Sequence, residues 1–135
     1  MRELLTLLGG LVGFLFGAWS ITLTIFLVVQ LLDLLSVVLK HAKLGKLNSA
    51  ELKLEIINKV GVWLILVLAH FIDVILFAGN NVVQTAITFT LIGQEGISIL
   101  ENLNFLGIQV PKSLAKYFKN IEAKGEINEE KEIDE

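Results

Sequence analysis

Long apolar runs with few interruptions organise this chain. From Leu4 to Leu39 the only charged side chain is Asp33. That stretch would make about 54 Å of helix against a hydrocarbon core of about 30 Å, so one straight crossing cannot use it all. The break is expected around Gly17-Ala18-Trp19-Ser20, where small and polar residues meet an interface-seeking tryptophan. Residues 20–39 then form a full span. Residues 4–16 are short for a crossing, which predicts a re-entrant or interfacial helix, with a fourth span as the second choice. A signal peptide is the competing reading, but apolar character resumes at Ile21 for a whole further span, without a clean cleavage context.

Two more spans are predicted over about 60–78 and 82–100, joined by the uncharged turn Gly79-Asn80-Asn81. Between the first and second spans lie Lys40, Lys43, Lys46, Lys53 and Lys59 against Glu51 and Glu55; beyond the third lie Lys112, Lys116 and Lys119. Both basic segments are expected in the cytoplasm, and the C-terminus with them. Three spans put the N-terminus outside, four inside. Two cytoplasmic surface helices are expected. One starts at a Ser49 cap, with Leu52, Ile56 and Ile57 on its apolar face. The other covers about 111–121, with Leu114, Tyr117, Phe118 and Ile121 on one face, a pattern that favours lipid over a protein partner. The fold class is an all-α integral membrane protein: three transmembrane helices plus a short glycine-rich N-terminal re-entrant or fourth helix, with the membrane domain over 1–121.

Composition agrees. Hydrophobic residues make up 54% of 135, with one proline and no cysteine, and mean hydropathy is +0.72. A soluble domain this small must keep a substantial polar skin. The net charge of −3 hides a division. Residues 122–135 hold seven acids against two lysines, a tail expected to be solvated and disordered, while the body is slightly basic. Its lysines flank apolar runs, where anionic lipid is a nearer partner than nucleic acid.

The candidate chemistry lies in polar groups inside the spans. Asp33, His70, Asp73 and Glu95 are costly in lipid and should face protein or water. His70 and Asp73 share a helical face, as a local charge pair or as part of a wet surface. On the third span Gln84, Thr88, Glu95, Ser98 and Asn102 fall on one polar stripe, interrupted by Leu91, a candidate pore-lining or buried contact. Gly9, Gly13 and Gly17 make two overlapping small-residue steps, suited equally to an oligomer contact or to packing within the chain. No catalytic set, nucleotide loop or cofactor motif emerges, and the two histidines are too far apart along the chain, with no cysteine, to suggest a metal site.

Residues 94–112, QEGISILENLNFLGIQVPK, resemble the C-terminal signature of the small phage lysis and toxin-secretion holins, with Glu95, Gly96, Ser98, Glu101, Asn102, Gly107, Pro111 and Lys112 in matching positions. Leu8-Gly9-Gly10 to Trp19 resembles that family's glycine-rich entry, and Ala69-His70-x-x-Asp73 its second-span motif. Asp33-Leu34-Leu35-Ser36 followed by Lys43-Leu44-Gly45-Lys46-Leu47 is similar to the end of its first span and its lysine loop, although the family's aromatic and glycine after the aspartate are absent. The resemblance implies a multi-pass protein of the bacterial cytoplasmic membrane that homo-oligomerises and opens lesions for a co-encoded endolysin or toxin. An accessory subunit of a larger membrane complex, or less readily a small-solute transporter, would use the same polar stripes.

Overall fold

A computed structural model describes the backbone of residues 1–134 and the side chains of residues 1–127. Within them the chain forms five helices: α1 (Arg2–Phe16), α2 (Ile21–Leu44), α3 (Ala50–Leu76), α4 (Val83–Phe105) and α5 (Lys112–Asp134). The expected break after α1 is present. Gly17 ends the helix at φ 74° and ψ −156°, a region that is essentially glycine's alone. The Ser20 hydroxyl then accepts from the Leu23 N–H at 3.2 Å and starts α2. Gly45, in the left-handed conformation, closes α2, and Ser49 caps α3 by accepting from the Leu52 N–H.

Several expected boundaries move. The surface helix opened by Ser49 does not stand apart from the second span; both belong to the single helix α3. Neither glycine nor proline interrupts Ala50–Val60, and a change from polar to apolar surroundings does not by itself stop a helix. The turn after α3 is also longer than Gly79–Asn81: it occupies residues 77–82, with Ala78 and Gly79 both at positive φ. Gly17 caps α1 from outside, so only Gly9 and Gly13 remain as a helical small-residue step.

α4 lies at the centre. α2 runs parallel to it, bringing Lys43 Nζ within 3.1 Å of the Phe105 carbonyl at their C-terminal ends. α3 runs antiparallel, tied at the other end by Gln84 Nε2 donating to the Leu66 carbonyl at 3.3 Å. Leu23, Phe26, Leu66 and Ile92 form the buried core, with Phe16 and Trp63 against it. Trp19 stacks on Trp63 with ring centroids 6.0 Å apart. Outward, α2 and α3 expose Ile21, Val28, Leu31 and Leu35, and Val60, Leu64, Leu68 and Ile75. These two helices are long and apolar enough to cross a membrane. Exposed apolar surface on this scale marks contact with lipid or protein.

α5 departs furthest from expectation. It does not end near residue 121 with a disordered tail after it; the helix continues to Asp134 and folds back antiparallel along α4. Residues 122–134 are rich in glutamate and lysine, which favour a helix. The side chains of residues 128–135, which carry most of the expected acidic tail, lie outside the described residues. Of the expected lipid-facing set, Phe118 and Ile121 turn toward α4 and the core, leaving Leu114 and Tyr117 exposed. Beside α4, α5 carries Lys116, Lys119, Glu122, Lys124 and Glu126. Each charge near a bilayer centre costs ~2.5–3.5 kcal/mol on insertion scales, so the α4–α5 pair as packed here does not suit a lipid-bathed position.

Candidate functional site

The residues that could act in a membrane converge where α2, α3 and α4 meet. On α2, Gln30, Asp33 and Ser36 recur every three residues and all face inward. Lys59, one turn before the most apolar part of α3, extends between the other two helices. Its ammonium donates to Asp33 Oδ2 and, at 2.9 Å, to Glu95 Oε2 on α4. Asn102, two turns further along α4, donates to Ser36 Oγ at 2.9 Å and to Asp33 Oδ1 at 3.3 Å. Ser36 in turn donates to the Asp33 carbonyl at 2.7 Å. On the other side, Gln30 Nε2 donates to the Lys59 carbonyl, and Trp63 Nε1 donates to Gln30 Oε1 at 2.7 Å. One continuous polar seam therefore crosses three helices.

The seam is shielded but not sealed. Asp33 is 2% exposed, whereas the Lys59 and Glu95 side chains are 12% and 16% exposed. Two hollows border Lys59. One, of about 300 Å³, lies between α2 and α3 and is lined by Leu27, Leu31 and Trp63 among others. The other, of about 180 Å³, is bordered by Glu55, Asn58, Val62 and Glu95. Lys59 is the side chain common to both. Its removal would leave two carboxylates facing each other without a cation.

A second polar assembly closes the other end. Asp73 is fully buried, and its carboxylate accepts from the backbone N–H groups of Val83 and Gln84 at 2.8 and 3.0 Å. It thus satisfies donors at the start of α4, where a helix dipole favours negative charge. Gln84 ties the end of α1 to α3 by donating to the carbonyls of Phe16 and Leu66. Thr88 returns its hydroxyl to the Gln84 carbonyl at 2.6 Å.

Asp33, Glu95 and Asn102 thus come together, while Asp73, Gln84 and Thr88 belong to the capping assembly. His70 is not ion-paired with Asp73: the carboxylate is engaged by α4, and buried His70 Nδ1 has no hydrogen-bond partner among the described residues. Its ring lies where a side chain on Gly17 would be, 2.6 Å from that Cβ position. Asp33 is buried and faces protein within the seam. Ser98 is half-buried and takes no part in the seam's hydrogen bonds. Gly9 and Gly13 face open space, with nothing within 4 Å of an added Cβ. Sequence reasoning missed Lys59, grouped there with the loop lysines. The available signal was its position, the last charge before an apolar run on a chain with three acids inside apolar stretches.

Comparison with known proteins places this architecture in a class. The model of the Bacteriophage holin family matches residues 10–123, and the chain belongs to that family. It is 39% identical over 118 residues to an uncharacterized 14.9 kDa protein in the nagH 3′ region of Clostridium perfringens, covering 87% of this chain and 89% of that one. An uncharacterized protein of Listeria monocytogenes is 32% identical over 123 residues, covering 91% and 87%. A protein of Bacillus phage phi105 named a probable holin is 29% identical over 120 residues, covering 89% and 87%. No solved structure matches. The protein is therefore a membrane protein of a membrane-permeabilising family, and not an enzyme.

Proposed function

We propose that this chain is a holin that homo-oligomerises in the bacterial cytoplasmic membrane and opens lesions through which a muralytic enzyme or a toxin leaves the cell. The observation that carries this reading is the Asp33–Lys59–Glu95 seam. Within one chain these groups satisfy one another away from lipid. In an oligomer the same groups can exchange protein partners for water, at a modest net difference in energy because both surroundings are polar. Such an exchange depends on protomer concentration, which gives a threshold.

In this reading α2, α3 and α4 cross the membrane, α4 with α5 displaced from it to the cytoplasmic surface, and α1 lies at the interface. At 15 residues α1 is about 22 Å long, shorter than the hydrocarbon core. Loops 45–49 and 106–111 face the cytoplasm with the lysines that flank them, and turn 77–82 faces outward. Asp33, His70, Asp73, Gln84, Thr88, Glu95, Ser98 and Asn102 supply the buried or water-lined polar surface.

Induced expression of the chain alone in a bacterium tests the proposal, with membrane potential and viability followed over time. An abrupt collapse after normal growth, with release of a co-expressed muralytic enzyme, is the expected result. Stable insertion at high level with the potential intact would overturn it and favour an accessory subunit that needs a partner.

A further inference from the structure

Two carboxylates share one cation in the seam, and they are not equally provided for. Asp33 accepts from the Lys59 ammonium through Oδ2 and from the Asn102 amide through Oδ1. Glu95 accepts from Lys59 through Oε2, and its Oε1 has no donor among the described residues. The charged groups nearby do not make up the difference. Glu55, one turn before Lys59 on α3, borders the same hollow as Glu95 and is a third acid. α5 packs on the Gly93 and Gly96 side of α4, where its Glu122 lies against Gln94. Buried His41, further along α2, is engaged with the Val37 carbonyl. With every group ionised, Asp33, Lys59 and Glu95 together hold one uncompensated negative charge in a shielded place. Charge left unpaired away from water is costly, and two carboxylates sharing a site do not both ionise readily.

We propose that this cluster is a proton-binding site, with one proton resident on Glu95 while the three helices are closed. The inference rests on the geometry of the single chain and not on the number of spans. Asp33 is the acid that stays ionised, because two donors hold its two oxygens. Glu95 is the acid that takes the proton, because it has an oxygen free and borders a hollow of about 180 Å³ that water can enter. The proton comes from water and sits on Oε1. No hydrogen bond breaks, since Lys59 goes on donating to Oε2 and to Asp33. Loss of the proton leaves an unpaired charge between α2, α3 and α4 and favours any arrangement in which water reaches it. An unfolded chain releases this proton in the ordinary acidic range of a glutamate, whereas the closed chain keeps it. Above that range the folded state therefore binds one proton more, and stability falls as pH rises until the closed chain releases it too.

Infrared difference spectroscopy of the purified full-length chain in detergent, between neutral and alkaline pH, tests this directly. The parent should show the C=O band of one protonated carboxyl at neutral pH and lose it in alkali. Glu95→Gln should lack the band. Asp33→Asn should lack it as well, because one acid then faces one cation and ionises. Within the window, each unit of pH should lower the parent's folding constant about ten-fold relative to Glu95→Gln, followed by helical circular dichroism in denaturant. Absence of the band from the parent would overturn the proposal, and that measurement needs no variant to fold. A band that survives in Glu95→Gln or in Asp33→Asn would overturn it too, by placing the proton elsewhere or detaching it from the shared charge. Exchanging sodium and potassium for choline should change neither readout. Stability that depends on those ions, with no carboxyl band, would assign the missing charge to a metal cation instead. Neither readout involves lesions in cells, so this inference and the holin reading stand or fall separately.

Discussion

Lys59 Nζ lies 2.9 Å from Glu95 Oε2, and the same ammonium reaches Asp33, so one cation fixes α3 to both of its neighbours. Breaking a buried pair by removing one member costs ~3–5 kcal/mol, whereas replacing every member is often close to neutral. Lys59→Met should therefore be strongly destabilising. The triple change Asp33→Asn, Lys59→Met, Glu95→Gln should recover most of the loss. Thermal unfolding in detergent, followed by helical circular dichroism, would compare the two. A single variant as stable as the parent would show that the seam contributes little.

The seam is also expected to set timing. Glu95→Gln keeps the shape and a hydrogen bond to Lys59 but removes a charge, altering the balance between the closed chain and any water-lined assembly. At matched protein levels the onset of depolarisation should move by well over the scatter between replicate cultures. An unchanged onset for Glu95→Gln would remove Glu95 from the mechanism.

Asp73 has a different task. It accepts from the first two backbone donors of α4, and Asp73→Ala leaves both without that acceptor. The expected cost is ~2 kcal/mol, with Asp73→Asn retaining part of the cap. Hydrogen exchange would register faster loss of protection at Val83 and Gln84 than at mid-helix amides such as Leu91. Uniform change along α4 would contradict a capping role.

The N-terminal glycines should separate cleanly. Gly17→Ala meets both an unfavourable backbone region and the His70 ring, and should cost ~1–3 kcal/mol. Gly13→Ala meets no neighbour and should leave the stability of the single chain unchanged or slightly raised. If Gly9 and Gly13 serve association, replacing both by leucine should weaken oligomers in crosslinking while leaving monomer unfolding unaltered. Equal effects of Gly13→Ala and Gly17→Ala on unfolding would refute the distinction.

The polar positions were legible because lipid-grade runs make every interruption conspicuous: Asp33, Asp73, Glu95 and Asn102 stand out from sequence alone. Their partners were not. Asp73 lies one turn from His70, which suggested a local pair, but the start of α4 offers two backbone donors in a better geometry. Lys59 sits in a lysine-rich segment, where charge counting reads loop; only the approach of α2 and α4 makes it a buried counter-ion. The helix from Pro111 onward was readable as amphipathic, but amphipathicity does not say which surface it covers. That choice turns on Gly93, Gly96 and Gly125, whose meaning appears only when the two helices are opposed.

The wide sequence separations in the seam impose an order on synthesis. Asp33 precedes Lys59 by 26 residues and Asn102 by 69. At ~5–20 residues per second, the aspartate waits roughly one to five seconds for its cation, and longer for the amide. The Asp73 contact with Val83 spans only 10 residues and can close almost as soon as the turn emerges. The α3–α4 hairpin can therefore be set while α2 is still unmatched. The first long helix to be made becomes the last to be fixed, and the cell must shelter its aspartate in the interval.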